Sequence, residues 1–273
     1  MKADIVIDNF SVGVLDRWGV GYDTVREANP GVIYVQMSGM GDSGPWSDFV
    51  TFAPTVHALS GITHLTGAPG HPNLGIGVSY NDHLSGLHGA VAVLVAVEAR
   101  QSTGEGQRID LAQFEVGVNF AGPSLLDLFV NGRAAEPTGN RLPYDYAAPH
   151  DCYPCQPTGE GVANERWVAI ACMDDDQWHA LRRLMGNPGW ALDDRKSTAI
   201  GRTANLDSLD AHVAEWTEPM AAEQVMVLCQ ANGVPAAVVQ SGADLAEADP
   251  QLARDSFLAP VDDPDPEAPA LVY

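Results

Sequence analysis

The N-terminal half of the chain alternates short apolar runs with longer segments of mixed polarity. The apolar runs predict buried strands at residues 4–8, 32–37 and 107–112. The longer segments predict helices at residues 14–29, 54–65 and 113–130. Strand, helix and strand in this order predict a βαβ unit with a parallel sheet, which binds ligands beyond the carboxyl ends of its strands. The loops at residues 9–13 and 38–44 are therefore expected on the ligand side.

The second of these loops is rich in glycine. Residues 38–44 read S-G-M-G-D-S-G, which lacks the spacing of a dinucleotide fingerprint and of a P-loop. Two interpretations stay open for this loop. Its backbone approaches a ligand closely, or it is simply flexible.

The stretch from residue 84 to residue 100 is apolar around nearly its whole circumference, which predicts a buried core helix. Asp82 stands just before it, at or next to the expected N-cap. Aspartate is preferred there because its oxygen accepts an unpaired backbone N–H, and the helix dipole favours the negative form. Asp82 is therefore either a structural cap or an ionised, nucleophilic carboxylate at the floor of a cleft.

The C-terminal half predicts a second, smaller α/β unit. Residues 131–165 are rich in Gly, Pro, Asn, Asp and Tyr, and we expect them to be loop-like. A strand is predicted at residues 167–173, and helices at 174–185, 207–217 and 222–231. A return strand and a short helix follow between residues 234 and 248, and the acidic, Pro-rich segment 261–269 is expected to be poorly ordered.

Together these patterns predict an α/β protein with a partial Rossmann-like, parallel-sheet large domain and a small α/β domain. The expected segments are a large domain over residues 1–115, linking helices over 116–138, the small domain over 139–233, and a return segment with tail over 234–273.

Charge narrows the range of partners. The 273 residues include 36 acidic and 14 basic side chains, for a net charge of -22. This charge argues against binding to nucleic acid or to an anionic membrane surface. No apolar run reaches the roughly 20 residues that span a bilayer, and Asp4 and Asp8 interrupt the N-terminal apolar stretch. We therefore expect a cytoplasmic protein.

The four cysteines are interpreted as ordinary reduced thiols. Cys152 and Cys155 form a single C-x-x-C. A structural zinc site needs a second pair, and a redox site needs the motif at a helix start. Cys172 and Cys229 are isolated in apolar segments. No metal site is expected.

Several motifs carry a family resemblance. They are A-D-I-V-I-D-N-F at residues 3–10, S-G-M-G-D-S-G-P at 38–45, H-A-L-S-G at 57–61, N-D-H-L-S-G at 81–86, R-Q-S-T-G-E-G-Q at 100–107, and G-V-P-A-A-V-V with A-D-P-Q-L at 233–252. In this order they resemble the family III CoA-transferases, the group of formyl-CoA transferase, carnitine CoA-transferase and α-methylacyl-CoA racemase. The resemblance covers nearly the whole chain.

The resemblance implies transfer of coenzyme A from an acyl-CoA to a free carboxylic acid, through an aspartyl-CoA thioester on Asp82. Attack on each carbonyl creates an oxyanion that needs N–H donors nearby. The family's CoA contacts match Asn9, Phe10, Ser11, Arg17, Phe52 and Ala53, and Gly39 and Gly41 are expected to supply donors or keep the approach open. No permanently bound cofactor is implied, since the CoA thioester is a substrate.

The chain departs from the family pattern in ways that keep alternatives open. The racemase branch has a histidine where this chain has Thr51-Phe52-Ala53, although His57 and His83 are near in sequence. Relative to the pattern, an N-terminal βα segment and a final C-terminal segment are expected to be missing. The alternatives are an acyl-CoA racemase or isomerase, and an inactive fragment or partner subunit of a split enzyme. The family's architecture implies an interlocked homodimer or a complementing subunit.

Overall fold

The computed structural model describes residues 3–144, 146–255, 257–258, 260–261 and 271–272. The chain divides into two compact units, Met1–Gly139 and Asn140–Tyr273. The first contains a parallel sheet and the second an antiparallel sheet, each with helices. The predicted α/β class is confirmed, while the finer division into four segments stays a prediction.

In the first unit, three parallel strands pair in the order β1 (Ile5–Asp8), β2 (Ile33–Gln36) and β3 (Gln107–Asp110). The helices are α1 (Val14–Arg17), α2 (Tyr22–Ala28), α3 (Ala53–Leu59), α4 (Ile62–Leu65), α5 (Tyr80–Thr103), α6 (Gln113–Phe120) and α7 (Gly122–Asn131). The helix predicted over residues 14–29, with interruptions at Gly19 and Gly21, is divided there into two helices, because the chain turns at Gly19, which has a φ of 74°.

The central strand β2 is buried on both faces. Tyr34 packs with Leu15 and Val25 of α1 and α2. Ile33 and Val35 point the other way and pack with Ala96 of α5. Alternate residues of a strand face opposite sides, so one strand of four buried residues organises helices on both faces of the sheet.

The prediction of a fully buried core helix is wrong for α5. Its buried residues lie on one stripe: Asn81, Ser85, Gly89 and Ala96. The opposite face exposes Leu87, Val91, Leu94 and Val95, each by more than 60% of its surface. The helix covers the sheet with its small residues, and the described part of the first unit places nothing over its large ones. An apolar pattern indicates which side chains favour burial, but it does not show which part of a structure covers them.

In the second unit, the antiparallel strands are ordered β4 (His150–Cys155), β5 (Arg166–Ala171) and β6 (Ala236–Val238). The helices are α8 (Asp175–Leu184), α9 (Ala199–Thr203), α10 (Leu206–Thr217), α11 (Ala222–Ala231), α12 (Gly242–Glu247) and α13 (Pro250–Asp255), and a two-stranded pair consists of β7 (Pro260–Val261) and β8 (Leu271–Val272). Residues 262–270 of the predicted tail lie outside the described residues.

Strand β4 falls inside the segment predicted as a loop. Tyr153 and Cys155 are buried while Cys152 and Pro154 are half-buried, so the strand has the usual period of two. The proline and the flanking polar residues hide this alternation in the sequence. Here the prediction of a structureless 131–165 segment is wrong.

All four cysteines are free thiols. Burial raises the pKa of Cys155 to about 11 and that of Cys172 to about 12. Within the described ranges, no group of three or more His, Cys, Asp or Glu side chains is arranged to hold a metal ion. Over the same ranges, no helix combines the length and hydropathy needed to cross a membrane.

Candidate active site

A cavity of about 570 Å³ opens in the first unit, where β1 and β2 end and α5 and α6 begin. This is the carboxyl edge of the parallel sheet, the place expected for a ligand. Seven of the nine residues singled out from sequence line it: Asn9, Phe10, Ser11, Gly39, Phe52, Ala53 and Asp82. Residues far apart in the chain therefore converge on one cleft of ordinary ligand-pocket size.

Asp82 lies in the first turn of α5, whose N-cap is Ser79. The side chain is half-buried and lines the cavity. Its Oδ1 accepts a hydrogen bond from Nε2 of Gln113 at 3.2 Å. The start of a 24-residue helix favours negative charge, which suits an ionised carboxylate at this position. Asp82 does not cap the helix with its side chain, so the purely structural interpretation loses its main support.

Arg17 and Gly41 are not among the residues that line the cavity. The Arg17 guanidinium lies beside Gly13, at the base of the loop that follows β1. Gly41 has a φ of 83°, and a side chain there would meet Ala112 at 3.3 Å and the Asp110 carboxylate at 3.6 Å. The left-handed backbone, and not only a ligand, therefore favours glycine at position 41.

Gly39 lines the cavity but is also required by packing. A Cβ atom at this position would lie 1.8 Å from Oγ1 of Thr51. The Gly39 carbonyl oxygen accepts a hydrogen bond from the backbone N–H of Phe114 at 2.9 Å. The absent side chain thus lets the glycine-rich loop pack against the 51–53 segment and the start of α6.

A buried polar network fixes the floor of the site. The backbone N–H of Asn81 donates to Nε2 of His57 at 3.1 Å, and His57 is only 2% exposed. The Asn81 side-chain amide donates to Oγ of Ser60 at 3.4 Å and to the Gln113 carbonyl oxygen at 3.5 Å. These bonds connect α3, α5 and α6 directly beside Asp82. The beginnings of α5 and α6 are therefore held together by hydrogen bonds that are at least partly shielded from water.

Neither nearby histidine is placed to act as a second acid or base in the cavity. Nε2 of His57 accepts a backbone hydrogen bond, so the proton of the neutral ring is on Nδ1. His83 is exposed, and its Nδ1 pairs with the Ser79 carbonyl oxygen at 2.8 Å. Neither residue lines the cavity.

Acidic residues fasten the glycine-rich loop to the end of β3. The Asp110 carboxylate accepts the backbone N–H of Asp42, with distances of 3.2 and 3.1 Å to its two oxygens. Arg108 bridges the Gln36 side chain and the Asp42 carboxylate. Burial, together with the hydrogen bond between the two carboxyl groups, raises the pKa of Asp110 to about 6. The same hydrogen bond lowers the pKa of Asp42.

The outer wall of the cavity is apolar. Phe49, Val50 and Phe52 line it and are more than half exposed. The Trp46 ring stacks on Phe49, with centroids 5.8 Å apart, and meets Phe114 edge-on at 5.6 Å. This aromatic group gives the segment before α3 a preferred position and offers apolar surface to a ligand.

Gln113 and Ser38 are site residues that sequence reasoning missed. Ser38 ends up in the cavity wall with a buried hydroxyl that has no hydrogen-bond partner among the described residues. Gln113 begins α6 three residues after β3. A usable signal existed, because the residue that follows a parallel strand lies at the ligand edge of the sheet. Its contact with Asp82 was not predictable, since it spans 31 residues.

Comparison with known proteins gives a consistent result. A family model described as CoA-transferase family III matches residues 1–272. The succinyl-CoA–D-citramalate CoA-transferase of Chloroflexus aurantiacus is 33% identical over 262 residues, which cover 96% of this chain and 63% of that protein. The succinyl-CoA–L-malate CoA-transferase beta subunit of the same organism is 31% identical, over 89% of this chain and 58% of that protein.

Solved structures share the fold. A CAIB/BAIF family protein from Brucella suis superposes with a TM-score of 0.82 at 28% identity, covering 100% of this chain and 71% of that one. The chain thus spans less than two thirds of the two named relatives and about seven tenths of this neighbour.

Proposed function

Because this chain belongs to CoA-transferase family III, we propose that it transfers coenzyme A from an acyl-CoA to a free carboxylic acid, with Asp82 as the nucleophile. The observation that carries the proposal is the position of Asp82, in the first turn of α5 and in the wall of a 570 Å³ cavity. The named relatives move CoA from succinyl-CoA to citramalate or malate, which supports a carboxylate acceptor here.

The proposed reaction is a sequence of four exchanges at carbonyl carbons. One Asp82 oxygen attacks the acyl-CoA carbonyl, and the C–S bond breaks. CoA departs as the thiolate, and an acyl-aspartyl anhydride is formed. The thiolate attacks the aspartyl Cγ and displaces the donor carboxylate, so that an aspartyl-CoA thioester results. The acceptor carboxylate attacks the same Cγ and expels the thiolate. The thiolate then attacks the acceptor's carbonyl carbon, which gives the new acyl-CoA and frees Asp82. No step needs a net proton transfer.

For the CoA moiety we propose the loop after β1 as the main contact. Asn9, Phe10 and Ser11 line the cavity, and the backbone N–H of Phe10 donates to Oδ1 of Asp8 at 3.1 Å, which shapes this loop. Gly39 with Phe52 and Ala53 forms the facing wall. Arg17 and Gly41 lie outside the lining. For Arg17 the proposal is a contact with CoA phosphates beyond the rim, since its side chain is exposed next to Gly13.

Racemisation or isomerisation finds less support. A racemase needs an acid and a base on opposite faces of the substrate carbon. His57 is buried in the polar network, and His83 is turned back onto its own helix. The cavity instead presents a carboxylate with an amide donor on one of its oxygens, which suits acyl transfer.

We also propose that a second polypeptide covers the apolar face of α5 and α7, most simply a second copy in an interlocked homodimer. Leu87 and Val91 of α5, and Phe129 and Val130 of α7, are all more than 60% exposed. Large apolar side chains exposed in such number on two helices are typical of an interface. A relative named as a beta subunit makes a complementing chain the other outcome. Light scattering after size exclusion, on the chain alone, distinguishes a dimer from a monomer that awaits a different partner.

The test of the function compares two carboxylates of one cavity. Asp82 and Asp48 both line it. We expect Asp82→Ala and Asp82→Asn to lower CoA transfer by on the order of 10³-fold or more, as expected for loss of a nucleophile. Asp48→Asn is expected to keep transfer within a few-fold of the parent. The assay separates CoA esters by chromatography after incubation with a panel of acyl-CoA donors and carboxylic acids.

A covalent intermediate gives the second readout. Intact-mass measurement of the parent with donor alone should show a mass gain of CoA minus one water, and peptide mapping should place it on Asp82; neither Asp82 variant should form it. Full CoA-transfer activity in Asp82→Ala would contradict the proposal. So would a parent that binds CoA but exchanges none with any donor, in the presence or absence of a partner chain.

A further inference from the structure

We propose that Gln113 is a catalytic residue of this transfer, whose side-chain amide holds Oδ1 of Asp82 and stabilises the negative charge that develops on that atom. The inference rests on the proposed function, since it assigns a role within that reaction. It begins from one contact: Nε2 of Gln113 donates to Oδ1 of Asp82 at 3.2 Å, inside the cavity.

The contact separates the roles of the two carboxylate oxygens. The oxygen that accepts the Gln113 hydrogen bond is the weaker nucleophile, because part of its charge is already engaged. Oδ2 is left to attack the acyl-CoA carbonyl. Oδ1 then becomes the carbonyl oxygen of the anhydride and of the thioester, and it keeps the amide donor beside it.

The donor matters most when the aspartyl carbonyl is attacked. When CoA thiolate adds to Cγ, the carbonyl π pair moves onto Oδ1, and collapse of this tetrahedral oxyanion breaks the bond from Cγ to the leaving carboxylate. In the free carboxylate the charge is shared by two oxygens, whereas in the oxyanion Oδ1 carries it alone. A hydrogen bond to Oδ1 is therefore stronger in the transition state than in the ground state, which is the condition for catalysis.

A neutral amide suits this task better than a cation. A lysine or arginine at this position would pair with the resting carboxylate and reduce its nucleophilicity. The amide has no charge and two N–H donors, and it cannot protonate the CoA thiolate. The amide can bind Oδ1 in every intermediate of the cycle, and it does not stabilise the resting Asp82 carboxylate as strongly as a cation would.

The surrounding structure fixes Gln113 before any substrate binds. Its backbone N–H donates to the Ser38 carbonyl oxygen at 3.0 Å. Its own carbonyl oxygen accepts from the side chain of Asn81, the residue that precedes Asp82, at 3.5 Å. Gly117, one turn further along α6, lets that helix approach Asn81 and Ser60 closely. Donor and nucleophile thus stand on two helix starts that are bonded to each other, so little reorganisation is needed during the reaction.

The first test replaces the amide by a side chain of similar length without donors. We expect Gln113→Met to lower kcat by about 10²-fold, the usual effect of losing one oxyanion donor, with a KM for acyl-CoA close to that of the parent. The matched control is Gln101→Met, on an exposed position in the last turn of α5, which should leave both constants unchanged. Circular dichroism and thermal unfolding of each variant show that it is folded.

The second test gives a readout that a structural role would not produce. In Gln113→Glu an ionised carboxylate repels Asp82, but a protonated one donates O–H to Oδ1. The kcat of this variant should therefore rise as the pH falls through the pKa of the new carboxyl pair, while that of Gln113→Met follows the parent's pH profile. A proton shared between two carboxyl groups raises the apparent pKa of one of them, which brings the effect into a measurable range.

The outcomes separate this inference from the proposed function. If Asp82→Ala abolishes transfer and Gln113→Met stays within about threefold of the parent in kcat, the role of Gln113 is wrong and the function stands. A Gln113→Glu variant without recovery at low pH counts against the role in the same way. If Asp82→Ala transfers normally, the proposed function itself fails, whatever the Gln113 variants do.

Discussion

The two units of the chain bury their apolar side chains in different ways. In the second unit one continuous cluster joins the sheet to α8, α10 and α11, with Trp178, Leu181, Leu209 and Val213 at no more than 1% exposure. In the first unit two small clusters lie on the two faces of β2, and further buried apolar residues such as Val56 and Ile62 lie in helices outside them. Large apolar residues of α5 and α7 remain at its surface.

The two units therefore differ in the kind of interaction that holds them together and in where it is concentrated. The second unit is held mainly by one apolar cluster, together with the buried Arg202, which pairs with Asp175. The first unit is tight around the candidate site, where His57, Asn81 and Ser60 are buried and bonded, and it is open along the outer faces of α5 and α7. The hydrogen bonds of this network fix the start of α5, which carries Asp82, relative to α3 and α6, although Oδ1 of Asn81 has no partner among the described residues.

The sharpest test of this comparison uses two leucines. Leu181→Ala removes a fully buried side chain from the second unit, and we expect a loss of about 2–5 kcal/mol in the free energy of unfolding. Leu94→Ala changes a side chain of α5 that is 68% exposed, and we expect a change within about 0.5 kcal/mol. Urea unfolding followed by circular dichroism measures both.

Concentration dependence provides the control. If a second polypeptide covers α5 in solution, Leu94→Ala will destabilise the protein more at high protein concentration than at low concentration, because association adds to stability by mass action. Equal losses from the two leucine variants at every concentration would contradict the contrast between a closed and an open core.

A pair of glycines tests whether tight packing in the first unit is confined to the site. A Cβ at Gly117 of α6 would lie 2.5 Å from the Asn81 amide nitrogen and 2.7 Å from Ser60, so Gly117→Ala should cost about 1–2 kcal/mol after the better helix propensity of alanine is included. It should also lower CoA transfer, since α6 carries Gln113. Thermal unfolding and the transfer assay check both effects.

Gly86 of α5 is the matched control. No atom lies within 4 Å of a Cβ built there. Gly86→Ala should therefore stabilise the protein by roughly 0.5–1 kcal/mol through helix propensity alone, with transfer unchanged. If both alanine variants destabilise equally, the first unit is packed as closely away from the site as beside it.

Much of the fold was predictable because the relevant signals are local. The continuous apolar run of Ile33, Tyr34 and Val35 predicts a strand buried on two faces, and the parallel pairing of β1, β2 and β3 follows from the helices between them. Asp82 was placed near a helix start because the change from Gly-rich to apolar sequence marks that boundary. Strand β4 was missed because Pro154 interrupts its pattern.

The parts that were not predictable depend on contacts across the chain. The bond from Gln113 to Asp82 and the bond from Asn81 to His57 join residues on different helices, and no single segment encodes them. The exposure of Leu94 depends on what covers a helix face, which a hydrophobic pattern does not state. Gly41 was expected to supply an N–H donor or to keep the approach open; its φ of 83°, a local reason for glycine there, depends on the path of the loop and was not predicted.

The smallest expected effect concerns two acidic residues, Asp110 in the first unit and Asp244 in the second, whose pKa values are shifted in opposite directions. In the first unit burial raises the pKa of Asp110 from 3.8 to about 6, so the folded state holds this proton more tightly than the unfolded chain does. The resulting stability is present below about pH 4 and is lost as the pH rises through 6. In the second unit the Arg166 guanidinium holds the pKa of Asp244 at about 2. Its contribution is present above about pH 4 and is lost as the pH falls toward 2.

Asparagine at each position tests these signs. Asp110→Asn imitates the protonated acid, since the amide oxygen still accepts the Asp42 N–H and the NH₂ group donates to the Asp42 carboxylate. At pH 7 we expect the free energy of unfolding of this variant to exceed that of the parent by up to about 1 kcal/mol; solvent screening is already included in this figure. Near pH 4 the two proteins should be equally stable. Asp244→Asn should instead be less stable than the parent at pH 7, with the gap closing below pH 4. Urea unfolding at pH 4, 5.5 and 7 measures both, and an Asp110→Asn variant that follows the parent at every pH would show that the Asp42–Asp110 pair does not share a proton.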